Sequence, residues 1–374
     1  MRETPLTILQ LTFQGDGAGS TQSIFDLSGQ LARRGHRVLV GCRAESLLAR
    51  LAADAAGGLA VVPLDFRRFG ALARTLAGTL ARDRVDVVNS HATRDRRALT
   101  WLRWRGKLPQ AFVVTRRTMP LTSPIELFTV GHTADRTIAV SGAVARALGS
   151  RWHPTARLRV VPNGLELARV DAPLPAGDLD AARAALGEIG DRQVVVVIAR
   201  RKDQDVMLAA LPAVQSPVLL ACVGVEADSA LTRLAAALPP RHRAVFVPFV
   251  PRPLAFYRLA AAAALPSRIE GLSQSLLEAM ALGLPVVASN AGGNPDILSD
   301  GVTGLLVAPL DSGAWARALT RVLGERELAQ RIARRGRELV RREFTLERAA
   351  QRTEVVYREA LARRTRLLHR DRPV

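Results

Sequence analysis

Short apolar runs of strand length alternate with segments of helical period along most of the chain. The first series lies at Leu6 to Leu11, Arg37 to Cys42, Leu59 to Val62, Val85 to Asn89, Ala111 to Thr115, Arg136 to Val140 and Leu158 to Val161. These runs are apolar almost continuously, which predicts strands of a parallel sheet covered by helices on both faces. A second series follows at Gln193 to Ala199, Val218 to Val223, Ala244 to Val247, Ala261 to Leu265, Pro285 to Ala288 and Gly304 to Val307. Between the two, Asn163 to Asp180 carries Pro173, Pro175 and Gly177 without periodicity, as a linker does. From Asp311 onward the pattern is helical, with Arg and Glu at i, i+3 and i+4 spacings and no strand expected. The expected fold is α/β, with two doubly wound, Rossmann-like parallel-sheet domains facing across a cleft. The first covers residues 1–165, a linker 166–180, the second domain 181–345, and a closing helix with a basic tail 346–374. In such sheets ligands bind outside the carboxyl ends of the strands, so the chemistry is expected in the loops there.

A length of 374 residues agrees with two domains, and 48% hydrophobic with 23% charged residues is a globular composition. Cys42 and Cys222 each sit inside an apolar run, which excludes a disulfide framework or a cysteine-rich zinc site. The stretch after Met1-Arg2-Glu3-Thr4-Pro5 lacks a signal-peptide core, and the longest uncharged run, Val206 to Val225, is broken by Pro212 and Pro217. A cytoplasmic protein with no transmembrane helix is expected. The net charge of +19 arises from 53 basic against 34 acidic residues and draws anions and anionic surfaces. Only Lys107 and Lys202 are lysines, so arginine abundance reads as a compositional bias and most arginines as a solvated surface. A basic nucleic-acid-binding protein would share the charge, but there is no recognition module, and 4% aromatics leave no stacking platform. No nucleic acid is expected as a partner.

Four loops hold residues with the right chemistry for an anionic ligand. After the first strand, Gly15-Asp16-Gly17-Ala18-Gly19-Ser20 opens a helix, and Gly17 and Gly19 would present backbone N–H groups at close range. A tight strand-to-helix turn explains the same glycines, and Ser20 stands where a dinucleotide fingerprint needs a third. His91 closes the run Asp86 to His91, at the carboxyl end of the fourth strand. In the second half, Arg200-Arg201-Lys202 follows a strand and precedes a helix, where cations can neutralise a diphosphate leaving group. Asp203-Gln204-Asp205 resembles a metal-binding acid pair, but two acids in a first helical turn satisfy the helix dipole, and no metal site is assigned. In Ser267 to Ser289 a strand ends, a turn at Gly271 follows, and a helix starts near Leu272, Ser273 and Gln274. Glu270 lies in that loop and Glu278 one to two turns into the helix. Two carboxylates flanking an anion-accepting helix start could grip the hydroxyls of a sugar and of a ribose; two unrelated glutamates would look the same.

The run Glu270 to Ser289 resembles the Glu-x7-Glu region of glycosyltransferase family 4, the retaining nucleotide-sugar transferases with the two-domain GT-B fold. Further segments resemble that family in its own order: Gly17-Ala18-Gly19 with Leu31 to His36, Asn89-Ser90-His91, Ile138 to Ser141, Val161 to Gly164, Arg200 with Lys202, and Gly292-Gly293 through Leu305. The resemblance implies that Glu270 holds the transferred sugar, Glu278 the ribose, and Arg200, Arg201 and Lys202 the diphosphate. It gives His91 the donor sugar or developing charge, and Gly17 and Gly19 the close approach of the first domain. It also implies a closing helix, Leu346 to Ala362 with Tyr357, that returns to the first domain. Two departures stand out: Asp203 replaces the usual glycine after the lysine, and Asp296 replaces a glutamate. A nucleotide-sugar epimerase of the same fold is the alternative.

The resemblance implies no metal and no cofactor beyond the nucleotide-diphosphate-sugar donor. Between Arg94 and Arg117 eight basic residues and one acid are interleaved with Trp101, Leu102 and Trp104. That pattern suits an anionic membrane surface or a phosphorylated acceptor, and equally a solvated helix with two packed tryptophans. The expected acceptor is an envelope glycan or glycolipid such as lipopolysaccharide core, reached by a peripheral enzyme on the inner face of the membrane. No protein partner is expected.

Overall fold

A computed structural model describes residues 4–16, 19–55, 59–119 and 123–370. The chain divides into two compact units, one running up to Gly164 and resuming at Leu346, the other spanning Leu165–Thr345. Among the described residues the first unit holds β1 (Thr7–Leu11), β2 (Arg37–Cys42), β3 (Leu59–Pro63), β4 (Val87–Ser90), β5 (Ala111–Arg116), β6 (Arg136–Ala139) and β7 (Leu158–Val160). All pair in parallel, in the order β3-β2-β1-β4-β5-β6-β7. The second unit holds β8 (Gln193–Ile198), β9 (Val218–Val223), β10 (Arg243–Val247), β11 (Ala262–Leu265), β12 (Val286–Ser289) and β13 (Leu305–Val307), in the parallel order β10-β9-β8-β11-β12-β13.

Successive strand residues enter different cores, which is why the runs are apolar throughout and not alternating. Leu9, Val88 and Val114 pack with Leu72, Leu76 and Leu99 on one face of the first sheet. Ile8, Val87 and Val113 pack on the other with Leu27, Leu31, Val356 and Tyr357. The helix Leu346–Arg370 therefore completes the first unit, as the family pattern implies, and among the described residues no strand lies beyond Asp311. In the second unit Val195, Val197 and Leu220 pack around the fully buried Trp315.

The stretch read as a linker is ordered and belongs to the second unit. Leu167–Asp171 forms one short helix, Val170 is buried, and Asp171 pairs with Arg341. Leu165 N also donates to Phe344 O at 2.8 Å. A five-residue helix held by a distant arginine has no periodicity to reveal it.

Candidate active site

Each sheet reverses its strand order once, and the loops leaving the two strands at that point diverge to leave a crevice. In the second unit the reversal falls between β8 and β11, so the loop Ala199–Asp203 and the loop Pro266–Ser273 start side by side. Lys202 Nζ reaches Glu270 Oε1 in a direct ion pair between them. Glu270 is buried, whereas Lys202 is about one-third exposed. The two residues singled out from loops 68 positions apart therefore meet.

Both loops are braced. Gln204 Nε2 donates to Arg200 O and Lys202 N donates to Gln204 Oε1, each at 2.6 Å. Asp203 has φ +54°, a left-handed conformation that favours glycine, which explains the glycine that the family places there. Its carboxylate accepts from Arg268 N and Arg268 Nε, both at 2.9 Å, tying one loop to the other. Beneath Glu270 the backbone of Gly292 approaches so closely that a Cβ would lie 2.3 Å from Glu270 O. Gly293 N donates to that oxygen at 3.0 Å. Ser289 Oγ donates to Ser267 O, and Asn294 Nδ2 donates to Ser289 O at 3.0 Å.

Gly271, Leu272 and Ser273 are buried and lead into the helix Gln274–Ala281, whose N-cap Ser273 accepts from Leu276 N at 3.3 Å. Glu278 is on this helix, and Tyr257, from the helix Leu254–Leu259, reaches it. The Tyr257 hydroxyl donates to Ser275 O at 2.9 Å, with Glu278 Oε2 3.3 Å away. Burial and the Glu278 charge raise the Tyr257 pKa well above 10, so the phenol stays protonated. The sequence reading missed Tyr257, although a lone tyrosine on an apolar helix signals a hydroxyl in need of a partner. Arg201 is engaged elsewhere, with Nη1 on Asp205 at 2.9 Å and Nε on Asp228 at 3.0 Å. Arg200 is exposed. With Asp203 on Arg268 and Asp205 on Arg201, both acids of the Asp-x-Asp pair hold arginines. No cluster of three metal-type ligands occurs among the described residues.

In the first unit the reversal falls between β1 and β4. The glycine loop leaves β1; Gly17 lies outside the described residues, and Gly19 begins the helix Gly19–Arg33. His91 leaves β4. The buried Asp95 carboxylate shapes this turn by accepting from Ser90 Oγ at 2.6 Å, Ala92 N at 2.8 Å and His91 N at 2.9 Å. Burial, then the nearby Arg117 and Arg96, holds the His91 ring well below its ordinary pKa of 6.5. His36 Nδ1 accepts from Leu6 N at 3.1 Å, and the buried His153 Nε2 lies 3.0 Å from Thr137 Oγ1.

The basic stretch from Arg94 to Arg117 divides in two. Arg96 and Arg116 are buried, and Arg103 pairs with Asp135 at 3.0 Å. Arg94, Arg97, Trp104 and Arg105 share the exposed side of the helix Thr93–Trp104 and its C-cap, with Arg105 over the Trp101 ring at 5.1 Å. Phe69, half exposed, meets Trp101 edge-on. Among the described residues no helix is long and apolar enough to cross a membrane.

The model of the family described as Glycosyltransferase Family 4 matches residues 17–169, and that of Glycosyl transferases group 1 matches residues 180–339. The D-inositol 3-phosphate glycosyltransferase of Geodermatophilus obscurus is 30% identical over 368 residues, 86% of this chain and 81% of that protein. The chain belongs to glycosyltransferase family 4. A like-named protein of Nocardia farcinica is 34% identical over 219 residues, 54% of this chain. That match spans about half of the relative's length, 48%. The crystal structure of Anabaena Alr3699/HepE in complex with UDP-glucose superposes with a TM-score of 0.78 at 21% identity, covering 94% of this chain and 99% of that one. At that identity the likeness shows the GT-B fold alone.

Proposed function

We propose that this chain transfers a glycosyl group from a nucleoside-diphosphate sugar to an anionic envelope acceptor, with retention of anomeric configuration. The observation that carries the reading is the Lys202–Glu270 pair at the strand-order reversal of the second unit, beside the capped start of Gln274–Ala281. In the reaction the bond from the anomeric carbon to the diphosphate oxygen breaks, and the electron pair leaves with the diphosphate. Lys202, Arg200 and the positive end of the helix dipole stabilise that charge while the sugar becomes oxocarbenium-like. Glu270 then faces the sugar and Glu278 the ribose. The acceptor oxygen bonds to the anomeric carbon, and its proton passes to the departing phosphate.

Relatives named for inositol 3-phosphate weigh toward a phosphorylated polyol or its lipid as acceptor, ahead of the lipopolysaccharide core. The exposed Arg94, Arg97, Trp104 and Arg105 face supports peripheral docking on an anionic bilayer. Incubation with UDP-, GDP- and ADP-sugars, with and without inositol phosphates, tests the reading. Slow donor hydrolysis that Lys202→Ala abolishes and Lys107→Ala does not is the expected result; an isomerised sugar or no turnover of any donor overturns it.

A further inference from the structure

Among the described residues two ion pairs join the loop Ala199–Asp203 to the loop Pro266–Ser273. Lys202 with Glu270 is the pair that a ligand must enter, and its members separate once each has taken its share of that ligand. The second pair lies beside it. Asp203 Oδ2 accepts from Arg268 N and Asp203 Oδ1 from Arg268 Nε, both at 2.9 Å and across 65 residues of sequence. The Asp203 side chain is 16% exposed, whereas that of Arg268 is about half exposed. Asp203 makes this contact in place of two locally favoured arrangements. It is the N-cap of the helix Gln204–Ala210, where an aspartate ordinarily has an extended backbone and accepts from the first amides of its own helix. Here the backbone is left-handed, at φ +54°, and the carboxylate caps none of those amides. A carboxylate next to Lys202 would also repel an anionic ligand if Arg268 did not hold both of its oxygens. A residue that gives up its local preferences for a distant loop marks a functional constraint. On the other side the fully buried Gln204 holds Arg200 O and Lys202 N, so the Lys202 backbone is fixed between two braces.

We propose that Asp203 and Arg268 are positioning residues that keep the two loops at a fixed span after a diphosphate has drawn Lys202 away from Glu270, so that ammonium and carboxylate stay opposed across the ligand. The diphosphate rests on the glycosyl-transfer reading; the clamp between the loops does not. Both residues act through their neighbours, Asp203 on Lys202 and Arg268 on the loop that carries Glu270. Without the clamp the ligand itself must order the loops, and the conformational freedom lost on binding lowers affinity. Glycine at 203, the usual residue of the family, relieves the left-handed backbone but leaves Arg268 N and Arg268 Nε without this acceptor.

Asp203→Gly separates positioning from both stability and charge. Its Tm should lie within about 3 °C of the wild type, because the relaxed backbone offsets the lost contacts. By charge alone, removing a carboxylate beside Lys202 tightens anion binding. By positioning, calorimetric titration of the full chain with UDP, GDP and ADP shows about tenfold weaker binding of whichever nucleotide the wild type takes. Asp203→Asn tolerates the left-handed backbone and still accepts from Arg268 N, and should bind only about threefold more weakly. Arg268→Met should lose at least as much as Asp203→Gly, and combining the two should weaken binding no further. Hydrogen exchange of the ligand-free chain over residues 266–270 reads the clamp without any nucleotide; the Arg268 amide should exchange about tenfold faster in Asp203→Gly. Equal exchange in the two proteins overturns the clamp. Nucleotide binding by Asp203→Gly that equals or exceeds the wild type's, or additive losses in the double variant, overturns the positioning role. Clamp-dependent exchange in a wild type that binds none of the three nucleotides overturns the glycosyl-transfer reading, and the diphosphate with it.

Discussion

Gly292→Ala tests whether the loop bearing Glu270 is seated on the backbone beneath it. Gly292 has φ +55°, and an added Cβ would lie 2.3 Å from Glu270 O, 2.8 Å from its N and 3.1 Å from its carbonyl carbon. All three are backbone atoms, so no side chain can swing aside. The left-handed conformation alone costs a β-carbon roughly 1 kcal/mol. The overlap with the oxygen is roughly 1 Å inside ordinary contact, so one loop must move by about that much. We put that strain at another ~2–3 kcal/mol. Gly301 provides the control, with φ +68° and nothing within 4 Å of its Cβ position. By differential scanning calorimetry Gly301→Ala should lower Tm by about 3 °C, and Gly292→Ala by about 10 °C. Displacing Glu270 by about 1 Å should also lower kcat/KM on the donor by about a hundredfold, with Gly301→Ala near wild type. Equal Tm losses together with unchanged kcat/KM for Gly292→Ala would refute the seating argument.

Calorimetric titration with a nucleoside diphosphate should show Lys202→Met binding about 10- to 100-fold more weakly, the loss of a charge-assisted contact. Arg201→Met, already occupied by Asp205 and Asp228, should change affinity less than about threefold, and equal losses would contradict that division. The chain should sediment with anionic vesicles at low salt, and Trp104→Ala combined with Arg97→Ala should reduce this about tenfold. Equal sedimentation with neutral vesicles would remove the docking face. Glu354 is pushed up by burial but held down to about 2, against 4.5, by hydrogen bonds from Arg358, Arg34 and His36. A depressed carboxyl stabilises the fold above its unfolded pKa and loses that contribution as pH falls from 4.5 through 2. Acid unfolding of Glu354→Gln should therefore be flatter over that window, and an unchanged profile would reject the assignment.

Much of the fold is legible because its signal is local. A strand buried on both faces must be apolar at every position, so β9 (Val218–Val223) reads directly from its own residues. A glycine turn before a helix, glutamates flanking the helix start and a cation after a strand are likewise local facts, and they located the two loops that meet at Lys202 and Glu270. The boundary stretch was misread for the complementary reason: Asp171 is ordered by Arg341, and nothing within the stretch announces a partner so far along the chain.

Residue patterns along the chain thus settled the class of each element and the kinds of group present at the strand ends. Strand order did not follow from them, since a parallel strand can join a sheet at either edge and show the same apolar run. Only the reversal at β8 and β11 sets Lys202 against Glu270, and only close backbone approach gives Gly292 its place beneath that glutamate. The hydrogen bond from Gln10 Nε2 to the Tyr357 hydroxyl, across 347 residues of sequence, makes the same point. Hydrogen bonds and steric contacts act over a few ångströms of space, and sequence distance carries no information about them until the chain has folded.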